Sequence, residues 1–234
     1  MKFYYEDHKD NLFSLFESNY RDDDFKLSEK KSLYSEPIFV LTLESLITEV
    51  LPNNINNKQI NNPEYIHNNS WLSYEIDNTK SAWKLIKTNN FVYSIDFILK
   101  LHKTLKNNPF GKEDISGTFR KVTSIPKSSR FYNCQPTLIQ NQLEILFEKY
   151  NSCPKSFYHI CLFHNIFLFI HPFKDGNGRI AKLLLNHELI KRYSAYCIIP
   201  ANQFNEYESA LELAKKGDLK ELISFINRKS LKYE

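Results

Sequence analysis

The chain has 234 residues, 42% of them hydrophobic and 15% aromatic, and a formal net charge of +4, which suffices for one core of ordinary size with a small extension. So small and evenly spread a charge gives no basis for a nucleic-acid partner, and no apolar run reaches the roughly 18 residues that mark a membrane span. The four cysteines, Cys134, Cys153, Cys161 and Cys197, show no close pairing pattern and read as reduced thiols, and the charged start MKFYYEDHKD lacks the apolar centre of a signal peptide, so the expected compartment is the cytoplasm, with signal-independent secretion left open.

Residues 1 to 35 are polar and aromatic, and the acidic run Asp22-Asp23-Asp24 reads as a solvated turn. The stretch SEPIFVLTLESLITEVL that follows predicts a helix over about 36–51, with Ser45 and Glu49 four residues apart on one face. Repeated Asn-Asn pairs with Pro52 and Pro63 make 52–70 a loop. Residues 1–70 are thus expected as an N-terminal extension and 71–228 as the main domain. Trp71 to Lys87 has helical spacing, and Ser94 or Asp96 caps the next helix, which runs through His102 to Leu105. His102 is assigned to packing or capping before catalysis. The region Gly117 to Pro136 is the most strand-like, with Phe119, Val122, Ile125 and Phe131 separated by polar residues and Pro126 and Pro136 limiting regular pairing. Gln140 to Tyr150 returns to helix before the break at Cys153-Pro154. His159 and His164 lie five apart, off any shared helix face, and Cys161 has no companions at zinc-site spacing, so all three read as core residues.

The stretch that carries chemistry is His171-Pro172-Phe173-Lys174-Asp175-Gly176-Asn177-Gly178-Arg179. The apolar run SFYHICLFHNIFLFI precedes it and the helical pattern IAKLLLNHELIKRY follows, so the motif joins two helices. Pro172 disfavours the α conformation at His171 and should end the first helix there. Two of the chain's five glycines, Gly176 and Gly178, flank Asn177 and allow a turn whose N–H groups converge at the start of the second helix, an anion site. Arg179 adds a planar fork for phosphate oxygens and Lys182, one turn on, a point charge. Asp175 suits a divalent metal that also touches phosphate, and His171 is the natural proton acceptor.

These nine residues resemble the signature of the Fic family at every fixed position; the departure is Lys182, where the family has a second arginine. The resemblance covers about residues 71 to 228 and implies an all-α fold, a Fic-type helical bundle with a short β-hairpin flap over the active site. It implies a protein adenylyltransferase that moves AMP from ATP to a Ser, Thr or Tyr hydroxyl of a target protein. His171 is then the catalytic base, Asp175 the magnesium ligand, and Gly176, Asn177, Gly178, Arg179 and Lys182 the phosphate cradle, with Tyr207 against the adenine. The flap residues Val122, Thr123, Ser124 and Ile125 would pair with the extended target. Ser45 and Glu49 would form an inhibitory segment, Glu49 pairing with Lys182. Asn205 to Ile226 is similar to the family's two closing helices, with Gly217 as the cap between them. Homodimerisation is common in the family and is left open. Also open are removal of AMP, phosphotransfer (which resembles a motif with lysine at the place of Gly178) and a non-catalytic binding role.

Overall fold

The computed structural model describes residues 2–18, 70–88, 91–107, 115–124 and 131–232. It is mostly helical, with strands of two or three residues. In chain order the elements are β1 (Phe3–Tyr4), α1 (Tyr5–Ser14), α2 (Ser70–Thr88), α3 (Ile95–Leu105), β2 (Phe131–Tyr132), α4 (Ile139–Ser152), α5 (Phe157–Ile170), α6 (Asn177–Tyr193), β3 (Ala195–Cys197), α7 (Phe204–Ala214), α8 (Lys220–Lys229) and β4 (Ser230–Lys232).

The bundle is built around α5, in which every side chain but Leu168 is buried. A helix apolar on all faces must be surrounded, and α1, α4, α6, α7 and α8 all touch it. Its start is fixed by Ser156, whose hydroxyl accepts from the His159 N–H at 3.4 Å, an N-cap. Aromatic rings fill the space on either side. Tyr5 meets Phe169 edge-on at 5.0 Å, Phe131 meets Phe169 at 5.5 Å, and Phe163 lies 4.4 Å from Tyr150 and 4.8 Å from Tyr93. Burying each such ring contributes on the order of 2–3 kcal/mol.

The histidines of α5 satisfy their nitrogens inside this core. His159 Nδ1 lies 2.6 Å from the Ser156 hydroxyl, and His164 bridges the Ala181 carbonyl at 3.1 Å and the Tyr207 hydroxyl at 2.6 Å. Because Ala181 offers only an acceptor, Nδ1 of His164 carries the proton and Nε2 accepts from Tyr207.

The expected helices that fall among the described residues lie within a few residues of the observed ones, and Ser94 caps α3 by accepting from Phe97 N–H at 3.3 Å. Three features differ. The polar N-terminus forms α1, whose Tyr5, Leu12 and Phe13 are buried in the common core. β3 pairs antiparallel with β4, in the register Ala195↔Lys232. The strand-like region pairs through β2 with β1 in parallel, Phe3↔Phe131 and Tyr4↔Tyr132; among the described residues a backbone bond between its two arms runs from Asn133 N–H to the Ser124 carbonyl at 3.2 Å. Pairing of two or three residues is too short to leave an alternation in sequence. The expected inhibitory helix with Ser45 and Glu49, the loop 52–69, and Ile125 of the flap lie outside the described residues.

Candidate active site

His171 closes α5 as its C-cap, in the left-handed conformation at φ 53°, with its N–H on the Phe167 carbonyl. The following proline forbids continuation of the helix, and a non-glycine residue in this region costs about 1–2 kcal/mol that surrounding contacts must hold. A neutral imidazole carries its proton on one ring nitrogen and keeps a lone pair on the other. Burial, then the Arg120 guanidinium and the Lys215 ammonium, lower its pKa to about 4. The imidazole is therefore neutral at physiological pH, the form a general base requires.

The motif loop is locked from both sides. The Asn177 carboxamide accepts from Phe173 N–H at 2.9 Å and donates to the Phe173 carbonyl at 2.8 Å. From α3, His102 accepts the Gly117 N–H on Nδ1 at 2.9 Å, so its Nε2 carries the proton and donates to the Asp175 carbonyl at 3.0 Å. Its ring stacks on Phe173 with centroids 3.8 Å apart. His102 thus fastens loop to helix, as its packing assignment foresaw. Of the two motif glycines only Gly176 adopts positive φ, at 85°; Gly178 lies in the first turn of α6, which corrects the expectation that both serve the turn. A Cβ on Gly176 would stand 3.3 Å from Leu105 Cδ2. Gly176→Ala is expected to lower stability by about 1–3 kcal/mol, measured as a fall in the urea midpoint at unchanged m-value.

At the start of α6 lies a four-residue charge cluster. Arg179, 1% exposed, pairs through Nη1 with Glu75 of α2, and its Nη2 stands 3.5 Å from Asp175 Oδ2. Lys106 reaches both acids, Asp175 at 2.7 Å and Glu75 at 3.1 Å. Burial alone would raise the Asp175 pKa, but Arg179, Lys106 and the Gly176 N–H outweigh it and hold the carboxyl below its ordinary value. The side chain of Asp175 is 46% exposed, and a carboxylate has about four lone-pair sites. A single accessible carboxylate fits magnesium, which binds through one or two carboxylates with substrate phosphates. Among the described residues no three His, Cys, Asp or Glu side chains could hold a metal by themselves.

The remaining expected site residues fall in several places. Lys182 is buried with its ammonium 5.8 Å from the centroid of the Phe204 ring. Tyr207 is 3% exposed, bonded to His164 and packed against Phe204 and Phe225; this is a core position, and it leaves little face for an adenine. Val122 and Thr123 are exposed, Val122 to 65%, and Ser124 is partly buried; Val122 is tied to His171 through Arg120, which bonds the carbonyls of both.

Four residues around the site were not singled out from sequence: Glu75, Lys106, Arg120 and Lys215. Lys215 is 5% exposed, with its ammonium 5.4 Å from the ring centroids of both Phe131 and Phe169, and burial lowers its pKa to about 8. Each sits on an element whose own pattern is ordinary. The available signal was a charge falling on a helix face that the apolar spacing turns inward, as Glu75 does three residues after buried Leu72 and four before buried Thr79.

Residues 92–189 match the family model described as Fic/DOC family. The protein adenylyltransferase fic-1 of Caenorhabditis elegans is 29% identical over 141 residues, which cover 58% of this chain and 27% of that protein. The protein adenylyltransferase Fic of Drosophila yakuba is 43% identical over 65 residues, 28% of this chain and 13% of that protein. The chain therefore spans about a quarter or less of the length of these curated relatives. Among solved structures, C. elegans Fic-1 (residues 134–508) superposes with a TM-score of 0.66 at 18% identity, over 96% of this chain and 68% of that one. The BepC protein of Bartonella tribocorum, solved with bound AMPPNP, gives 0.55 at 14% identity over 82% and 99%. At these identities the superpositions establish a shared, mostly helical fold.

Proposed function

The chain belongs to the Fic/DOC family through residues 92–189, and from that premise we propose that it is a nucleotidyltransferase that moves AMP from ATP to a hydroxyl of a target protein. The observation that carries this reading is His171: an imidazole that burial keeps neutral, with a lone pair on one nitrogen, held as the C-cap of α5 at the loop that leads into the positive start of α6. Such a group accepts the proton of a Ser, Thr or Tyr hydroxyl as the oxygen attacks the α-phosphorus. The N–H groups at the start of α6, with Gly178 adding no side chain, receive phosphate oxygens, and Arg179 and Lys106 offset the charge that grows on the leaving pyrophosphate. Magnesium held through Asp175 would supply further charge neutralisation on the phosphates. Lys182 keeps the charge but not the two-pronged grip of an arginine.

The target's extended segment is proposed to lie along Val122 to Ile125, and Glu49, with Ser45 on its helix face, to restrain nucleotide binding near Lys182. The cytoplasm is the proposed compartment, because all four cysteines are free. No helix among the described residues is long and apolar enough to cross a membrane.

The deciding experiment incubates the full chain with ATP and magnesium, wild type beside His171→Ala, and follows intact mass and pyrophosphate release. Wild type is expected to release pyrophosphate and to gain adenylyl groups, and His171→Ala to do so about 10²–10⁴-fold more slowly. Gain of a single phosphate would move the reading to phosphotransfer. Equal rates in the two proteins would remove His171 from the role of base.

A further inference from the structure

Arg120 stands between the flap and the catalytic histidine and gathers carbonyls from both. Its Nε donates to the His171 carbonyl at 2.7 Å and its Nη2 to the Ile170 carbonyl at 3.1 Å, the two oxygens that end α5. On the other side Nη1 donates to the Val122 carbonyl at 2.8 Å and Nη2 to the Cys134 carbonyl. Its own N–H donates to the Pro172 carbonyl at 2.9 Å. The residue is 5% exposed. Five backbone oxygens from two segments thus converge on one side chain and its amide. Val122 also lines an open groove of about 640 Å³ whose walls include Tyr4, Thr123, Tyr132 and Asn133.

We propose that Arg120 is a positioning residue that couples occupation of the groove beside Val122 to the orientation of His171, so that a docked polypeptide and the catalytic base move as one unit. The inference rests on the proposed transfer to a protein hydroxyl. Three features of the geometry support coupling over simple fold support. The guanidinium is a rigid planar fork, so a shift of the Val122 carbonyl is transmitted to the oxygens of Ile170 and His171 and not absorbed in a flexible stem. It bonds the carbonyl of His171 itself, which stands in a backbone conformation that must be held by its neighbours. The helix-ending carbonyls have no partner within α5, so they need an outside donor, and Arg120 is the residue that supplies it from the flap.

The test compares Arg120→Lys and Arg120→Gln with wild type, at a temperature where all three are folded by circular dichroism. The first readout needs no activity: hydrogen exchange of the peptides covering 115–124 and 170–175. Both regions are expected to exchange faster together, by about tenfold or more in Arg120→Gln, with a smaller change in Arg120→Lys. Faster exchange in the flap alone would overturn the coupling. The second readout is AMP transfer: a displacement of about 1 Å at the base costs up to about 10²-fold in rate, so kcat should fall by that order while KM for ATP stays within twofold, with partial recovery in Arg120→Lys. A rise in KM for ATP matching the loss in kcat/KM would sink the proposal. If wild type transfers no AMP, the functional reading fails, and the exchange experiment still decides the coupling by itself.

Discussion

Glu75→Gln is expected to destabilise the nucleotide-free protein by about 3 kcal/mol and to tighten its binding of ATP. Arg179 is 1% exposed and Glu75 14%, and the two are paired. Removing one partner of a buried pair costs about 3–5 kcal/mol, because the surviving charge is left without compensation. The lower end applies here, since Asp175 still stands 3.5 Å from Arg179 Nη2 and glutamine keeps one acceptor. Lys106 also loses an acid at 3.1 Å but keeps Asp175 at 2.7 Å.

The same change frees the guanidinium edge that a phosphate would use. In the wild type an incoming phosphate competes with Glu75 for Arg179; in the variant that carboxylate competitor is gone and only the 3.5 Å approach of Asp175 to Nη2 remains from the pair of acids. ATP should therefore raise the melting temperature of Glu75→Gln by more than that of wild type, because a ligand that binds only the folded state stabilises in proportion to RT ln(1 + [L]/Kd). Thermal melts of both proteins across an ATP titration measure both effects. A variant as stable as wild type would mean the pair contributes nothing net. A variant destabilised as expected but less protected by ATP would mean that Glu75 orients Arg179 for phosphate instead of competing with it.

Glu75 also illustrates what sequence could and could not disclose. The helices were legible because apolar spacing over ten or more residues specifies a buried face. The motif was legible because Pro172, Gly176 and Asn177 each carry a local conformational consequence, and the structure uses all three: His171 in the left-handed region, Gly176 at positive φ, and the Asn177 carboxamide closing the loop. What escaped is everything supplied from a distance. Glu75 reaches Arg179 across 104 positions and Arg120 reaches His171 across 51. No spacing rule connects such pairs, because the chain between them only has to return. Gly178 shows the opposite error: its residue type suggested a turn, while it lies in the first turn of α6. The pairing of β1 with β2 was invisible for a third reason, since a two-residue strand has no period.

Acidification is expected to unfold the chain between about pH 6.5 and 4. Burial, the largest cause in each case, lowers His102, His164 and His171 from 6.5 to about 4. A histidine whose folded pKa is depressed is neutral in the fold while its unfolded counterpart takes a proton. Its contribution is complete above pH 6.5 and is lost as pH falls toward 4. For a shift of this size the loss is on the order of 3 kcal/mol per group, and three such groups together rival the 5–15 kcal/mol that holds a typical domain. His187, also lowered by burial, acts in the same direction. Asp175 and Glu188, held below their ordinary values against the effect of burial, add their loss only at lower pH still. Urea titrations at pH 7, 6 and 5 should give a stability that falls by about 3–4 kcal/mol per unit near pH 5, the slope for uptake of nearly three protons. A slope below that of one proton would show these imidazoles to be charged in the fold. The consequence for activity follows from the same numbers. His171 stays unprotonated well below pH 6, so the acid limb of the pH–rate profile should coincide with loss of the folded state and not with titration of the base. A reversible fall in kcat/KM near pH 6.5, in protein still folded by circular dichroism, would place the His171 pKa back at its ordinary value and contradict its burial beside Arg120 and Lys215.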